Sequence, residues 1–314
     1  MADKNTEFHQ NNLSFRIDAS TGFEKKTLNV GGRLIDFETP KVMGILNITP
    51  DSFFDGSRMT SVDHVLQTAE KMLSEGACFL DIGAYSSRPG AADISESEEM
   101  NRLLPALRAI AKEFPQAILS ADTFRAKIAE AAVSEGAHIV NDISAGELDK
   151  KMIETVSRLK VPYIFMHMKG TPQTMKQLAE YDDVVTDVAR YLFGKIQQIK
   201  EAGINDYILD PGFGFAKTID HNYALLSKFE LFKTLGGLVL AGLSRKSMIW
   251  KVLDIDNRDA LNGTTVLNTI ALMKGADILR VHDVKPAVEA VILTQKMLRE
   301  NIKRHPIKLV NKSL

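Results

Sequence analysis

The 314-residue chain holds one cysteine, Cys78, and one tryptophan, Trp250. A lone cysteine excludes an intramolecular disulfide and any zinc site built on paired cysteines. It fits a reducing compartment. Residues 1–12 are polar, with no apolar stretch of the kind a secretory leader carries, so the sequence reads as a cytoplasmic, soluble protein. No run approaches the ~20 apolar residues of a membrane-crossing helix. There is also no excess of one charge: 39 Lys+Arg face 40 Asp+Glu, a formal net charge of −1. That balance argues against a basic nucleic-acid-binding surface, yet leaves room for a small anionic ligand, which needs only a local cluster. No strand is followed by G-x-G-x-x-G, and no G-x-x-x-x-G-K-[ST] occurs. Gly194-Lys195 is followed by Ile196 inside a helical stretch, so it is not a phosphate loop.

What is present is a rhythm. LSFRID (13–18) and TLNVGGRLIDF (27–37) alternate apolar and polar residues, and Gly31-Gly32 is a two-residue hairpin signal. After Pro40, short apolar runs alternate with longer stretches at helical spacing. The expected strands are 42–46, 78–82, 117–121, 138–142, 162–167, 207–210, 238–242 and 277–281, near-continuous apolar runs of the kind buried on both faces. Gly76, Gly136, Gly203 and Gly275 stand where helix C-terminal caps are expected. Length over ~150 suggests two domains, but eight βα units in sequence suggest a single (β/α)8 TIM barrel. The division is an N-terminal extension with a β-hairpin (1–40) that plugs the barrel's bottom, a barrel (41–302) and a tail (303–314).

In such a barrel the chemistry sits after the strand ends. Polar residues gather there: Asn47 and then Asp51, Phe53 and Asp55 after the first strand; Ser87, Arg88 and Pro89 after the second; Asp122 and Asn141 at the third and fourth; His167 at the fifth; Asp210 at the sixth; Lys246 and Ser247 after the seventh; Arg280 and His282 at the eighth. Any one Asn or Asp is an ordinary cap or turn residue. Eight on one rim are not explained that way. Lys246, Arg280, His282 and Arg88 suit an anion with several oxygens. Asn47 is an oxygen ligand that Mg²⁺ tolerates beside phosphate oxygens. Asp122, Asn141, Asp210 and Lys246 offer donors and acceptors for a flat heterocycle, with Phe213 and Phe215 as apolar walls.

With these residues in view, the sequence resembles the dihydropteroate synthase family. The matching blocks are GILNITPDSF (44–53), SSRPGA (86–91), SADTF (120–124), IVNDISAG (139–146), MHMKGTPQTM (166–175), LDPGFGFAKT (209–218), GLSRKS (242–247) and RVHDV (280–284), in the family's order. The resemblance implies condensation of 6-hydroxymethyl-7,8-dihydropterin diphosphate with p-aminobenzoate, giving dihydropteroate and diphosphate for folate synthesis. It implies that Asp122, Asn141, Met166, Asp210, Phe215 and Lys246 hold the pterin. Asn47, Arg280 and His282 bind diphosphate, Asn47 with Mg²⁺, and Ser87, Arg88, Pro89, Phe215 and Ser247 shape the p-aminobenzoate pocket. Asp122, Asp210, Lys246 and Arg280 are the expected catalytic set. The loops after the first two strands, one bearing Asp51, Phe53 and Asp55 in and before SFFDGS and the other SSRPGA, are expected to close over the site and exclude water. Sulfonamides, as p-aminobenzoate mimics, are expected ligands. The loops depart from the family's usual SFSDGG and ESTRPG, reading SFFDGS and YSSRPG here.

Other readings compete. Lys246 could serve as the Schiff-base lysine of a barrel aldolase, although nearby anions are expected to keep it protonated. His167 and His282 could bind zinc, but a third matched histidine is missing. A methyltetrahydrofolate:corrinoid methyltransferase is the nearest rival enzyme, and a pterin-binding protein without catalysis the rival of another class. His64, His138 and His221 read as surface or capping residues, Cys78 as a small core residue, and Trp250 as packed in a loop. Alternation places one of Met166 and Met168 inside the barrel. Wide apolar faces on the last two helices suggest a homodimer.

Overall fold

The structure, a computed structural model, describes residues 26–48, 58–87 and 93–304. Eight parallel strands close into a barrel: β3 (Lys41–Asn47), β4 (Phe79–Gly83), β5 (Ile118–Asp122), β6 (Ile139–Asp142), β7 (Tyr163–Met166), β8 (Tyr207–Asp210), β9 (Leu238–Ala241) and β10 (Ile278–Val281), with β10 paired to β3. All eight expected barrel strands are there. Between them run α1 (Arg58–Ser74), α2 (Glu96–Glu113), α3 (Ala126–Ser134), α4 (Met152–Leu159), α5 (Val184–Glu201), α6 (Ile219–Ser227), α7 (Glu230–Lys233), α8 (Ser247–Leu253), α9 (Leu261–Met273) and α10 (Val284–Arg304). The last helix passes the expected barrel boundary at 302. Trp250 lies in α8, not in a loop, half-buried against the helical layer.

Alternate residues on each strand point in and out, which is why the runs are apolar throughout. On β4, Leu80 and Ile82 face the helices, while Phe79 packs inside with Met43, Ile118, Ile139, Ile164, Ile208, Leu238 and Ile278. Helices α3 and α5 end where expected, the chain leaving through Gly136 at φ +107° and Gly203 at φ +83°. A Cβ on a residue in that backbone conformation is strained, so glycine is the natural exit.

The hairpin is β1 (Thr27–Val30) and β2 (Arg33–Asp36), turning at Gly31-Gly32. Leu28, Val30 and Phe37 are buried in the inner cluster at the strand starts, and Phe37 stacks on Phe79 at 6.4 Å. Each apolar side chain so buried stabilises by about 1.5–3 kcal/mol. Polar residues have little room at that end, which leaves the strand C-termini for chemistry. Cys78, just before β4, is half-buried beside this cluster, and burial raises its thiol pKa. The expected strand at 13–18 lies outside the described residues.

Candidate active site at the C-terminal mouth of the barrel

The strand register builds the rim. Asn47 pairs with Gly83, Gly83 with Asp122, and Asp122 with Asn141; further round, Met166 pairs with Asp210. Side chains at these positions share the inner face. Gly83 contributes no side chain there; a Cβ on it would stand 3.1 Å from that of Asp122.

Arg280 crosses the barrel from β10. Its Nε donates to Asp81 Oδ2 at 2.6 Å and its Nη2 to Asp122 Oδ2 at 2.5 Å. The amide of Asn141 donates to the same Asp81 Oδ2 at 2.9 Å. Asp81 is fully buried one layer below the rim. The sequence shows Asp81 as the polar residue carried by the second strand but gives it no role, although inward alternation from Phe79 places it on the barrel's inner face.

On the opposite arc, Asp210 ends β8 and Lys246 precedes α8. A Cβ on Gly242 would lie 3.6 Å from Lys246 Nζ and 3.8 Å from Asp210 Oδ2, so the two charges flank a small gap above β9. Lys246 also donates to the carbonyl of Phe213 and lies 5.1 Å from the centre of the Phe215 ring. The Phe215 ring therefore stands beside the Lys246 ammonium. The Phe213 ring does not: it is fully buried among the outer helices and stacks on Phe229. Met166 and Met168 are both buried, in one cluster with Ile143, Met175 and Ala216, so alternation does not separate them.

The loop after β8 has a scaffold that sequence reasoning missed. Lys217 Nζ reaches the carbonyls of Gly212 at 2.9 Å and Phe215 at 3.0 Å, and the Nδ1 of His167 at 2.9 Å. Burial and the Lys217 charge push His167 down to about 2, so the ring is neutral and accepts this hydrogen bond. Gly212 N–H in turn donates to Asp210 Oδ1 at 2.7 Å. A Cβ on Gly212 would meet the His167 carbonyl oxygen at 2.0 Å. His221 is a cap, in a reciprocal capping box with Thr218 at the start of α6. His138 is half-buried and its ring accepts from the Leu119 N–H.

The last two loops are stapled together. Ser244 Oγ lies 3.0 Å from His282 Nδ1 and accepts from the His282 N–H at 3.2 Å. Arg245, in the left-handed region at φ 52°, grips Asp283 with Nε at 2.8 Å and Nη2 at 2.9 Å. Turning Arg245 outward lets Lys246 face the barrel axis. Ser247 begins α8, half-buried. Ser87 is half-buried after β4, where Tyr85 meets Phe124 edge-on at 4.9 Å and accepts from Gln173 Nε2 at 2.9 Å. Asp51, Phe53, Asp55, Arg88 and Pro89 lie outside the described residues, as do SFFDGS and all of SSRPGA beyond Ser87.

Burial dominates the electrostatics. It pushes Asp122 up to about 7, against the pull of Arg280 and helped by Asp81, Glu99 and Asp142. Asp210 is likewise raised by burial, with Lys246 opposing. Lys246 falls to about 8, because burial outweighs the attraction of Asp210. Lys246 is thus cationic at neutral pH and loses its proton near 8. Among the described residues no group of three or more His, Cys, Asp and Glu side chains is placed to hold a metal. The exposed amide of Asn47, on the strand next to Arg280, instead fits an ion that takes most of its oxygens from a substrate and water.

The pterin binding enzyme family matches residues 43–282. The chain is 40% identical over 269 residues to the dihydropteroate synthase of Escherichia coli, covering 85% of this chain and 95% of the relative. The crystal structure of Yersinia pestis dihydropteroate synthase with a sulfonamide drug complex superimposes with TM-score 0.82 and 40% identity, covering 87% of this chain and 99% of that one. The Xanthomonas albilineans dihydropteroate synthase in complex with 7,8-dihydropteroate superimposes with TM-score 0.78 and 34% identity over 87% and 98% of the two chains.

Proposed function

The chain belongs to the dihydropteroate synthases, transferases of the pterin binding enzyme family, and on that premise we propose how its mouth divides the work. The observation that carries the proposal is the Arg280 fork, which joins the heterocycle-facing carboxylate Asp122 to the anion-facing arc in one hydrogen-bonded unit. Asp122, Asn141, Asp210 and Lys246 take the pterin edge, with Met166 and Phe215 against its faces. Arg280 and His282 take the diphosphate. Ser87, Arg88, Pro89, Phe215 and Ser247 receive p-aminobenzoate, and sulfonamides compete there. Asn47 would hold Mg²⁺ with the substrate's oxygens, and the bound ion supplies neutralisation of the leaving diphosphate.

The reaction is dissociative. The C–O bond at the pterin methylene breaks and its electron pair leaves with diphosphate, whose charge Arg280 and His282 offset. The cation left behind is delocalised into the ring, and Asp122 and Asp210, fixed before the reaction, stabilise it electrostatically. The arylamine nitrogen attacks, forms the C–N bond and loses its proton to solvent. It is unprotonated at neutral pH and needs no strong base.

Mixing the protein with pterin diphosphate, p-aminobenzoate and Mg²⁺ should release diphosphate and dihydropteroate in equal amounts. No release dependent on p-aminobenzoate overturns the assignment. A covalent pterin–protein adduct, trapped with pterin diphosphate alone, overturns the dissociative route.

The chain works as a homodimer in this reading. Helices α9 and α10 pack together and expose Val266, Ile270, Met273, Ile292, Leu293 and Met297, apolar side chains of the kind that a subunit interface covers. Sedimentation should give twice the chain mass, and Leu293→Glu should halve it. No helix among the described residues is long and apolar enough to cross a membrane. The unpaired thiol of Cys78 fits a cytoplasmic setting.

A further inference from the structure

We propose that Asp81 is a positioning residue that couples the diphosphate-binding guanidinium to the pterin-binding amide, because one of its oxygens, Oδ2, receives both Arg280 Nε at 2.6 Å and Asn141 Nδ2 at 2.9 Å. The inference rests on the assignment of Arg280 and Asn141 above. It adds a residue that touches neither substrate.

Three observations carry it. First, the side chain is fully buried and sits mid-strand, flanked in the register by Ile45 on one side and Ser120 on the other. A buried ion pair contributes little net stability compared with a well-packed hydrophobe of the same volume, so packing does not explain a carboxylate here. Second, its other oxygen, Oδ1, is buried without a hydrogen-bond partner, and so is Ser120 Oγ, which pairs with Asp81 in the strand register. A group retained at the cost of an unsatisfied atom points to function rather than folding. Third, the geometry is that of a shared hinge pin. Arg280 has two anionic partners, Asp81 from below and Asp122 at the rim. The lower one fixes the direction of the guanidinium, so Asp122 can exchange its contact for a ligand while Arg280 stays aimed. The same oxygen takes one proton of the Asn141 amide, which leaves the other proton and the amide oxygen for the pterin. Moving Asp81 therefore disturbs both halves of the site together.

The test is calorimetric binding of two probes: inorganic diphosphate with Mg²⁺, and a hydroxymethylpterin without phosphate. Arg280→Lys is expected to weaken diphosphate mainly, and Asn141→Ala the pterin mainly. Asp81→Asn should weaken both by about tenfold or more, as removal of an orienting partner behind a binding group commonly does, and raise the KM for pterin diphosphate at temperatures where the variant is still fully folded. A loss for one probe only, for neither, or in proportion to a fall in stability overturns the proposal. If Asp81→Asn does not fold, Asp81→Glu, which keeps the charge but displaces it by one methylene, carries the same test. If the unsubstituted protein binds neither probe, the reading of the site fails first. If it binds both and the Asp81 variant binds them equally well, only the coupling role fails.

Discussion

The Nη2 of Arg280 stands 2.5 Å from the Oδ2 of Asp122, so the two arcs of the mouth meet in an ion pair within the chain itself. Burial still pushes that carboxyl up to about 7, while Lys246 across the barrel falls to about 8. Below the first value Asp122 is protonated and loses its charge for Arg280 and its full acceptor capacity. Above the second, Lys246 loses its ammonium beside Asp210. Pterin affinity is predicted to rise through about pH 7 and to decline through about pH 8, a narrow bell. Calorimetry against pH checks this, and Asp122→Asn should flatten the acidic limb while lowering the affinity. An acidic limb unchanged in that variant contradicts the assignment.

Lys217 should matter more than a loop lysine normally does. Its amine, whose pKa burial lowers well below the ordinary lysine value, meets two carbonyls and the His167 ring at once. Lys217→Met leaves those acceptors without a donor and should cost at least about 2 kcal/mol in urea unfolding. Pterin affinity should fall with it, since Gly212 braces Asp210. Unchanged stability would mean that other donors take over.

Gly242→Ala separates binding from folding. The new methyl would make only ordinary contacts with Lys246 and Asp210. The unfolding free energy should therefore stay within about 1 kcal/mol. The methyl would, however, stand in the gap between the two charges, and pterin affinity should drop. Full affinity in this variant would move the pterin away from that gap.

Leu28→Ala is the converse. Leu28 is fully buried at the closed end, on the far side of the barrel from the rim. Its loss should cost about 3 kcal/mol of stability. Below the unfolding transition, KM for both substrates should be unchanged. A raised KM would mean that the two ends of the barrel are mechanically linked.

The barrel was legible because each buried strand is a short apolar run with polar residues at its end or in the loop just after it. Asp122, Asn141, Asp210 and Arg280 could be read in this way. Asp81 could not, since a carboxylate in the middle of a strand resembles an interruption until alternation is followed inward. Lys217 was hidden for the opposite reason: after Phe-Gly-Phe-Ala it looks like a solvated loop residue, and only the tight turn at Gly212 folds its amine back onto carbonyls. Phe213 and Phe215 differ by two residues yet part company, because the positive-φ turn at Gly214 breaks the alternation that would have placed them together.

Leu28, Val30 and Phe37 stop the barrel at one end, and traffic is left to the other. Molecules that share such a vessel must queue. On the proposed assignment, a ligand that settles among Asn141 and Asp210 has to arrive before, and depart after, one that settles above it. A compound lodged near the rim therefore imprisons its neighbour as well as displacing a competitor, and its own residence time becomes the residence time of both.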